Sequence, residues 1–76
     1  MSAEKLKELQ TEAAELWQEL NILLKSMEMD FAKSLTGNAS AATRGRKGLK
    51  LLSDTSLELR KKLLVLRKLR DELKKA

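Results

Sequence analysis

Several residue types are missing from this 76-residue chain, and each absence excludes a class of structure or chemistry. Without cysteine there can be no disulfide and no thiolate metal site, and without histidine the commonest metal ligand and proton shuttle are lost. Proline and tyrosine are also absent, and Trp17 and Phe31 are the only aromatic residues. Because the carboxylates follow one helix face instead of converging, we expect no enzyme, no metal site and no cofactor.

The residues that are present are those of long helices. Ala, Glu, Lys, Leu and Arg dominate the composition, and 36% of the residues are charged. No apolar run approaches the roughly 20 residues that span a bilayer, and the first residues, MSAEKLKEL, contain no apolar signal region. We therefore expect a single domain, residues 1–76, that stays in the cytoplasm and binds neither a membrane nor a small-molecule substrate.

The apolar pattern predicts two helices separated by a short turn. The first helix is expected over residues 2–35, the turn over 36–38 and the second helix over 39–75. Gly37 suits the left-handed position that ends a helix, and Asn38 can cap the next one, with Ser40 as a rival cap. Two antiparallel helices joined in this way form a hairpin, so the predicted fold class is all-α.

The same pattern predicts which residues pack between the helices. In the first helix we expect a core stripe of Leu6, Leu9, Ala13, Leu16, Leu20, Leu23 and Met27, flanked by Trp17, Leu24 and Phe31. In the second helix we expect Ala42, Gly45, Leu49, Leu52, Ser56, Leu59, Leu63, Leu66, Leu69 and Leu73. A further group of apolar residues lies off this stripe: Leu51, Leu57, Leu64 and Val65. Because a lone hairpin cannot cover them, we expect a homodimer or tetramer that forms a coiled-coil, four-helix bundle.

Positive charge is concentrated in the second helix. Residues 1–38 carry seven acids and four lysines, a net charge of −3, whereas residues 39–76 carry twelve bases and four acids, a net charge of +8. A helix with this excess favours a polyanion bound through its phosphates, with little sequence preference. The other interpretations are a solvated outer surface and contact with an acidic protein or a membrane. The candidate DNA-binding residues are Arg44, Arg46, Lys47, Lys50, Arg60, Lys61 and Lys68.

Two glycines interrupt the first turns of the second helix. Gly45 and Gly48 each cost about 1 kcal/mol relative to alanine inside a helix, so we expect a reason for them. One explanation is close approach of the two helices beside the turn. The other is close approach of a nucleic-acid backbone.

Two short blocks of the second half match a known pattern. The first block is Gly37, Asn38, Ala41, Thr43, Arg44, Arg46 and Lys47, and the second is Glu58, Leu59, Arg60 and Lys61. In these blocks the chain resembles the bacterial histone H1-like family, the chlamydia type and its shorter relatives, over roughly residues 34–64. The resemblance implies a nucleoid-associated, DNA-compacting protein without enzymatic activity. It also implies phosphate contact by Arg44, Arg46, Lys47, Arg60 and Lys61.

Two alternatives remain open at this point. The chain could be a helical-hairpin scaffold or adaptor that pairs with another helical protein through Leu57, Leu64 and Val65. It could also be an RNA-binding two-helix protein, such as the small ribosomal proteins with a basic second helix. Salt dependence separates the first alternative from nucleic-acid binding, since phosphate contacts weaken steeply with ionic strength and apolar pairing does not.

Overall fold

The computed structural model describes the backbone of residues 2–75 and the side chains from residue 3 to residue 75. This part of the chain forms two helices and contains no strand: α1 is Ser2–Leu35 and α2 is Ala39–Lys75. The two helices lie side by side in an antiparallel hairpin about 58 Å long. The all-helical class predicted from the sequence is confirmed.

The turn between the helices is closed by its own backbone hydrogen bonds. The Asn38 N–H donates to the Lys33 carbonyl and the Gly37 N–H donates to the Ser34 carbonyl, both at 3.2 Å. This pattern requires a left-handed residue after the helix, and Gly37 supplies it with a φ of 93°. The predicted role of Gly37 is therefore confirmed.

Asn38 starts α2. Its Oδ1 accepts a hydrogen bond of 2.9 Å from the Ala41 N–H, which has no partner inside the helix. The Asn38 carbonyl accepts the first helical bond, from the Ala42 N–H at 3.0 Å. The rival prediction of a cap at Ser40 is wrong, because Ser40 already lies inside α2.

The core of the hairpin is narrow. Leu9, Ala13, Leu16 and Leu20 of α1 are buried, as the sequence predicts. On α2 the buried residues are Ala41 and Leu66. Half-buried Leu6, Leu59 and Leu69 complete the cluster around Leu9, Ala13 and Leu66.

The predicted stripe of α2 is wrong at two positions. Leu49 and Leu63 are 55% and 53% exposed, whereas Gly48, Thr55 and Lys62 are half-buried. Gly48, Thr55 and Lys62 therefore face α1, and α2 is rotated about its own axis relative to the orientation that the predicted stripe requires. The sequence pattern missed this because leucines occur on several sides of α2, and the predicted stripe followed the row through Leu49 and Leu63.

The two aromatic residues of α1 are exposed in the single hairpin, and the predicted oligomer would have to cover them. Trp17 and Phe31 are 61% and 60% exposed, and Leu24 between them is 50% exposed. One α2 helix covers only a narrow strip of α1, so this flanking row lies outside the core of a single hairpin. A monomer therefore exposes apolar side chains that a folded protein normally covers.

Candidate nucleic-acid interface

Most of the predicted DNA-binding residues lie on the outward side of α2. We call this surface the basic face, and it consists of Arg46, Lys47, Lys50, Arg60, Lys61 and Lys68. All six side chains are exposed. At about 1.5 Å per residue the face extends for roughly 33 Å along the helix. The spread of charge suits an extended polyanion better than a single anion held in a pocket.

Few of these cations are neutralised by the protein itself. Lys50 Nζ lies 3.5 Å from Asp54 Oδ2, in an exposed pair one helical turn apart that contributes little to stability. Within the described residues the other five have no carboxylate within salt-bridge distance. Their charge is therefore available to a ligand.

Arg44 is placed differently from the rest. Its Nε donates a hydrogen bond of 3.0 Å to Asp30 Oδ1 on α1, which ties the guanidinium to the neighbouring helix. Residues two positions apart point in directions roughly 200° apart around a helix, so Arg44 and Arg46 lie on opposite sides of α2. The structure thus separates Arg44 from the other candidate residues, although the sequence groups it with them.

A second cross-helix ion pair lies near the far end of the hairpin. Lys62 Nζ donates a hydrogen bond of 3.0 Å to Glu12 Oε2, and both side chains are partly buried. This pair fixes the alignment of α1 against α2 and leaves Lys62 unavailable to a ligand.

The basic face is interrupted by leucines. Leu57 and Leu64 lie on the same side of α2 and are 47% and 58% exposed. The leucines therefore divide the positive charge of the basic face, which is a row of separate cationic positions with apolar gaps between them.

The sequence reasoning missed part of the positive surface. Arg67 and Lys74 are exposed and follow Arg60 at steps of seven residues, which keeps them on one side of α2. The seven-residue spacing was visible in the sequence. It was missed because the prediction followed the side of α2 that carries Lys61 and Lys68, and Arg67 lies about 100° around the helix from Lys68.

The two glycines of α2 differ in their surroundings. A Cβ atom at Gly48 would lie 2.8 Å from the Met27 sulfur, so α2 approaches α1 closely at this point. Close helix approach therefore explains Gly48. A Cβ atom at Gly45 would have nothing within 4 Å, so no contact inside the hairpin requires a glycine there.

Gly45 opens onto an apolar groove between the helices. The groove has a volume of about 420 Å³, and it lies on the side of the hairpin that also exposes Leu24 and Phe31. Arg46 and Glu28 lie at its edges. A shallower groove on the opposite side is lined by residues that include Ile22 and Leu51.

No helix in the described part of the chain is both long enough and apolar enough to cross a bilayer. No curated protein and no solved structure has significant similarity to the chain.

The profile of one protein family matches most of the hairpin. The match covers residues 14–69, which include two thirds of α1, the whole turn and most of α2. It extends further in both directions than the two motifs, and it includes the part of α1 that carries the exposed Trp17. The chain therefore belongs to the histone H1-like protein Hc1 family.

Proposed function

We propose that this protein is a nucleoid-associated architectural protein that binds DNA through phosphate contacts with little sequence preference. The observation that carries the proposal is the row of exposed, unneutralised cations along α2 in a chain of the histone H1-like protein Hc1 family. The function is structural, so it requires no catalytic residue and no cofactor.

The charge distribution supports a defined orientation on DNA. The acids of α1 give residues 1–38 a net charge of −3, whereas residues 39–76 carry +8. A polyanion is therefore attracted to the α2 side and repelled from the α1 side. The hairpin binds with its basic face toward the phosphates and α1 pointing away.

The residue types of α2 support weak sequence preference. The helix contains no asparagine, glutamine or aromatic residue, so it lacks the amide side chains that recognise adenine and the aromatic rings that stack on bases. Lysine and arginine along a helix can neutralise phosphates of any sequence. Five free cations would contribute a slope of roughly −4 to −5 in a plot of log affinity against log salt concentration.

We also propose that the functional form is an oligomer, a dimer or tetramer with bundle packing. Twelve large apolar residues of a single hairpin are at least 47% exposed, among them Leu57, Leu64 and Val65. Covering part of this surface stabilises the chain by roughly 25 cal/mol for each Å² of apolar area buried. An oligomer would also combine several basic faces on one DNA molecule and so raise the overall affinity.

The test is fluorescence anisotropy with a labelled random-sequence duplex at three salt concentrations from about 50 to 300 mM. We expect affinity to fall steeply with salt, and to change less than about threefold between duplexes of unrelated sequence. An RNA duplex of the same length is the comparison ligand. Tighter binding to RNA would assign the basic face to the RNA-binding alternative, and no binding at the lowest salt would refute the proposal.

A second candidate function is a helical adaptor. Leu57, Leu64 and Val65 are all exposed, and a partner helix could cover them. Binding of this kind would be insensitive to salt. It would be lost on Leu64→Gln, which leaves the net charge unchanged, and retained on Lys61→Gln. DNA binding responds to those two substitutions in the opposite order.

A further inference from the structure

We propose that the exposed apolar side of the hairpin, which we call the groove face, pairs with the same face of a second copy in an antiparallel arrangement. The groove face consists of Trp17, Leu24 and Phe31 on α1 and of Ala42, Leu49, Ser56 and Leu63 on α2. This inference deepens the proposed function, because it states how two basic helices come together. It rests on the geometry of the hairpin and not on DNA binding.

Both rows of the groove face run along a single side of their helix. Their members are spaced by seven residues. Seven residues of an α-helix fall only about 20° short of two full turns, so the members of each row point in nearly the same direction. Leu24 and Phe31 line the same groove as Ala42 and Leu49, so the two rows lie on the same side of the hairpin.

The α2 row alternates small and large side chains. Its order is Ala42, Leu49, Ser56, Leu63, and this order is complementary to itself when reversed. An antiparallel second copy places Leu63 over Ala42 and Leu49 over Ser56, so that each large side chain meets a small one. Such alternation allows two helices to interdigitate without voids.

The α1 row is symmetric about its central residue. In the antiparallel arrangement, Leu24 lies over the Leu24 of the second copy, and Trp17 of each copy lies over Phe31 of the other. Trp17 then lies beside the groove that passes Gly45, and the open space at Gly45 leaves room for an indole. The pairing therefore explains why position 45 is a glycine, which no contact inside the single hairpin explains.

The two rows place the symmetry axis at nearly the same level of the hairpin. Residues that face each other across the hairpin have numbers that add to 74 or 75, as in Asp30 with Arg44, Glu12 with Lys62 and Met27 with Gly48. Leu24 therefore lies level with residue 50 or 51. The α2 row is symmetric about a point between Leu52 and Ser53, about two residues or roughly 3 Å away. One two-fold axis therefore serves both helices.

The groove face is large enough for a reversible dimer. The α2 row extends over about 21 residues, or roughly 32 Å, and the α1 row over about 14 residues, or roughly 21 Å, and each helix is roughly 10 Å wide. Pairing buries on the order of 500 Å² on each copy, or about 1,000 Å² in total, which is the size at which weak biological interfaces begin and which favours a dimer that dissociates on dilution.

This arrangement has a consequence for charge. The axis places α1 against α1 and α2 against α2, so the two basic faces lie next to each other on one side of the dimer. Arg46 of one copy comes close to Arg60 of the other, and like charges repel. Salt or a polyanion therefore strengthens the pairing, whereas salt weakens contact with DNA.

Disulfide trapping tests the pairing directly, because the natural chain contains no cysteine. Leu24→Cys places two thiols at the two-fold axis. The matched control is Ile22→Cys, which replaces another exposed apolar residue of α1 on the opposite side of the hairpin. In the absence of DNA and with diamide as oxidant, we expect Leu24→Cys to form a covalent dimer at least tenfold faster.

A second trap fixes the direction of the pairing. An equimolar mixture of Ala42→Cys and Leu63→Cys chains should give mainly the mixed disulfide. Circular dichroism of each variant confirms that the helices are retained. Equal trapping rates for Leu24→Cys and Ile22→Cys, or a predominance of Ala42 or Leu63 homodimers, would overturn the proposal. Because DNA is absent, a failure here is distinct from a failure to bind nucleic acid.

The emission of Trp17, the only tryptophan, gives an independent readout. We expect the emission to shift to shorter wavelength as the concentration of the full chain rises, in parallel with its mass by light scattering. Leu24→Glu should abolish both changes, since it places two carboxylates together at the axis, and Ile22→Glu should preserve them. A chain that stays monomeric at high concentration, or equal effects of the two variants, would contradict the inference.

Discussion

α2 approaches α1 closely where Gly48 faces Met27, and this contact can be tested by adding one methyl group. A Cβ atom at position 48 would lie 2.8, 3.0 and 3.1 Å from the sulfur, Cγ and Cε of Met27. These distances are well below ordinary van der Waals contact, so the thioether must move. Alanine would otherwise favour the helix by about 1 kcal/mol over glycine.

We expect the displacement of half-buried Met27 to cancel most of this gain. Gly48→Ala should therefore change the free energy of unfolding by less than about 0.5 kcal/mol. In a Met27→Ala background the obstruction is absent, and the same substitution should stabilise the protein by about 1 kcal/mol. The two positions should then show a coupling of at least about 0.5 kcal/mol in a double-mutant cycle.

The assay is urea denaturation of all four proteins at one protein concentration, followed by the helical signal in circular dichroism. A fixed concentration makes any contribution from association similar in each protein. An equal effect of Gly48→Ala in both backgrounds would refute the reasoning, since it would show that the two side chains do not share space.

Three further predictions concern the core, the cap and the ion pair. Leu66→Ala should lower the free energy of unfolding by about 2–4 kcal/mol, and Leu64→Ala by less than about 1 kcal/mol, because Leu66 is 8% exposed and Leu64 58%. Asn38→Ala should cost about 1 kcal/mol through loss of the helix cap, as measured by thermal denaturation. Arg46→Ala should weaken DNA binding and reduce the salt slope by about 0.9, whereas Arg44→Ala should leave the slope nearly unchanged.

Each of these predictions has a clear contrary result. Equal losses for the two leucines would mean that the exposed one is covered as deeply as the buried one. An unchanged melting temperature for Asn38→Ala would show that the cap contributes nothing. A larger effect of Arg44→Ala on DNA binding would mean that Arg44 leaves Asp30 to contact the phosphates.

The helices and their turn could be predicted from the sequence because their causes are local. Gly37 and Asn38 act through hydrogen bonds to residues at most five positions away. The core stripe of α1 was also correct, since its apolar residues recur at alternating steps of three and four along one side of the helix.

The surface of α2 was harder to predict because it depends on the rotation of one helix against the other. Leucines occupy almost every side of α2, so the apolar pattern alone does not fix which of them face α1. The side that packs is set by small residues such as Gly48 and by the cross-helix pairs of Arg44 and Lys62. The net charge of α2 could be read from the sequence, but which cations remain free could not.

The central claim is that DNA binds specifically to the basic face of α2. The alternative is that the net positive charge of the protein attracts DNA to any part of its surface. The most direct measurement compares two variants that each remove four positive charges. One carries Arg46→Gln, Lys47→Gln, Lys61→Gln and Lys68→Gln. The other carries glutamine in place of the four lysines of α1, namely Lys5, Lys7, Lys25 and Lys33.

Both variants have a formal net charge of +1, four less than the natural chain. We expect the DNA affinity of the α2 variant at 100 mM salt to fall by at least tenfold. The slope of log affinity against log salt concentration should become less steep by roughly 3–4. The affinity of the α1 variant should stay within about threefold of that of the natural chain. Equal losses in the two variants would contradict the account, because they would show that net charge alone attracts DNA.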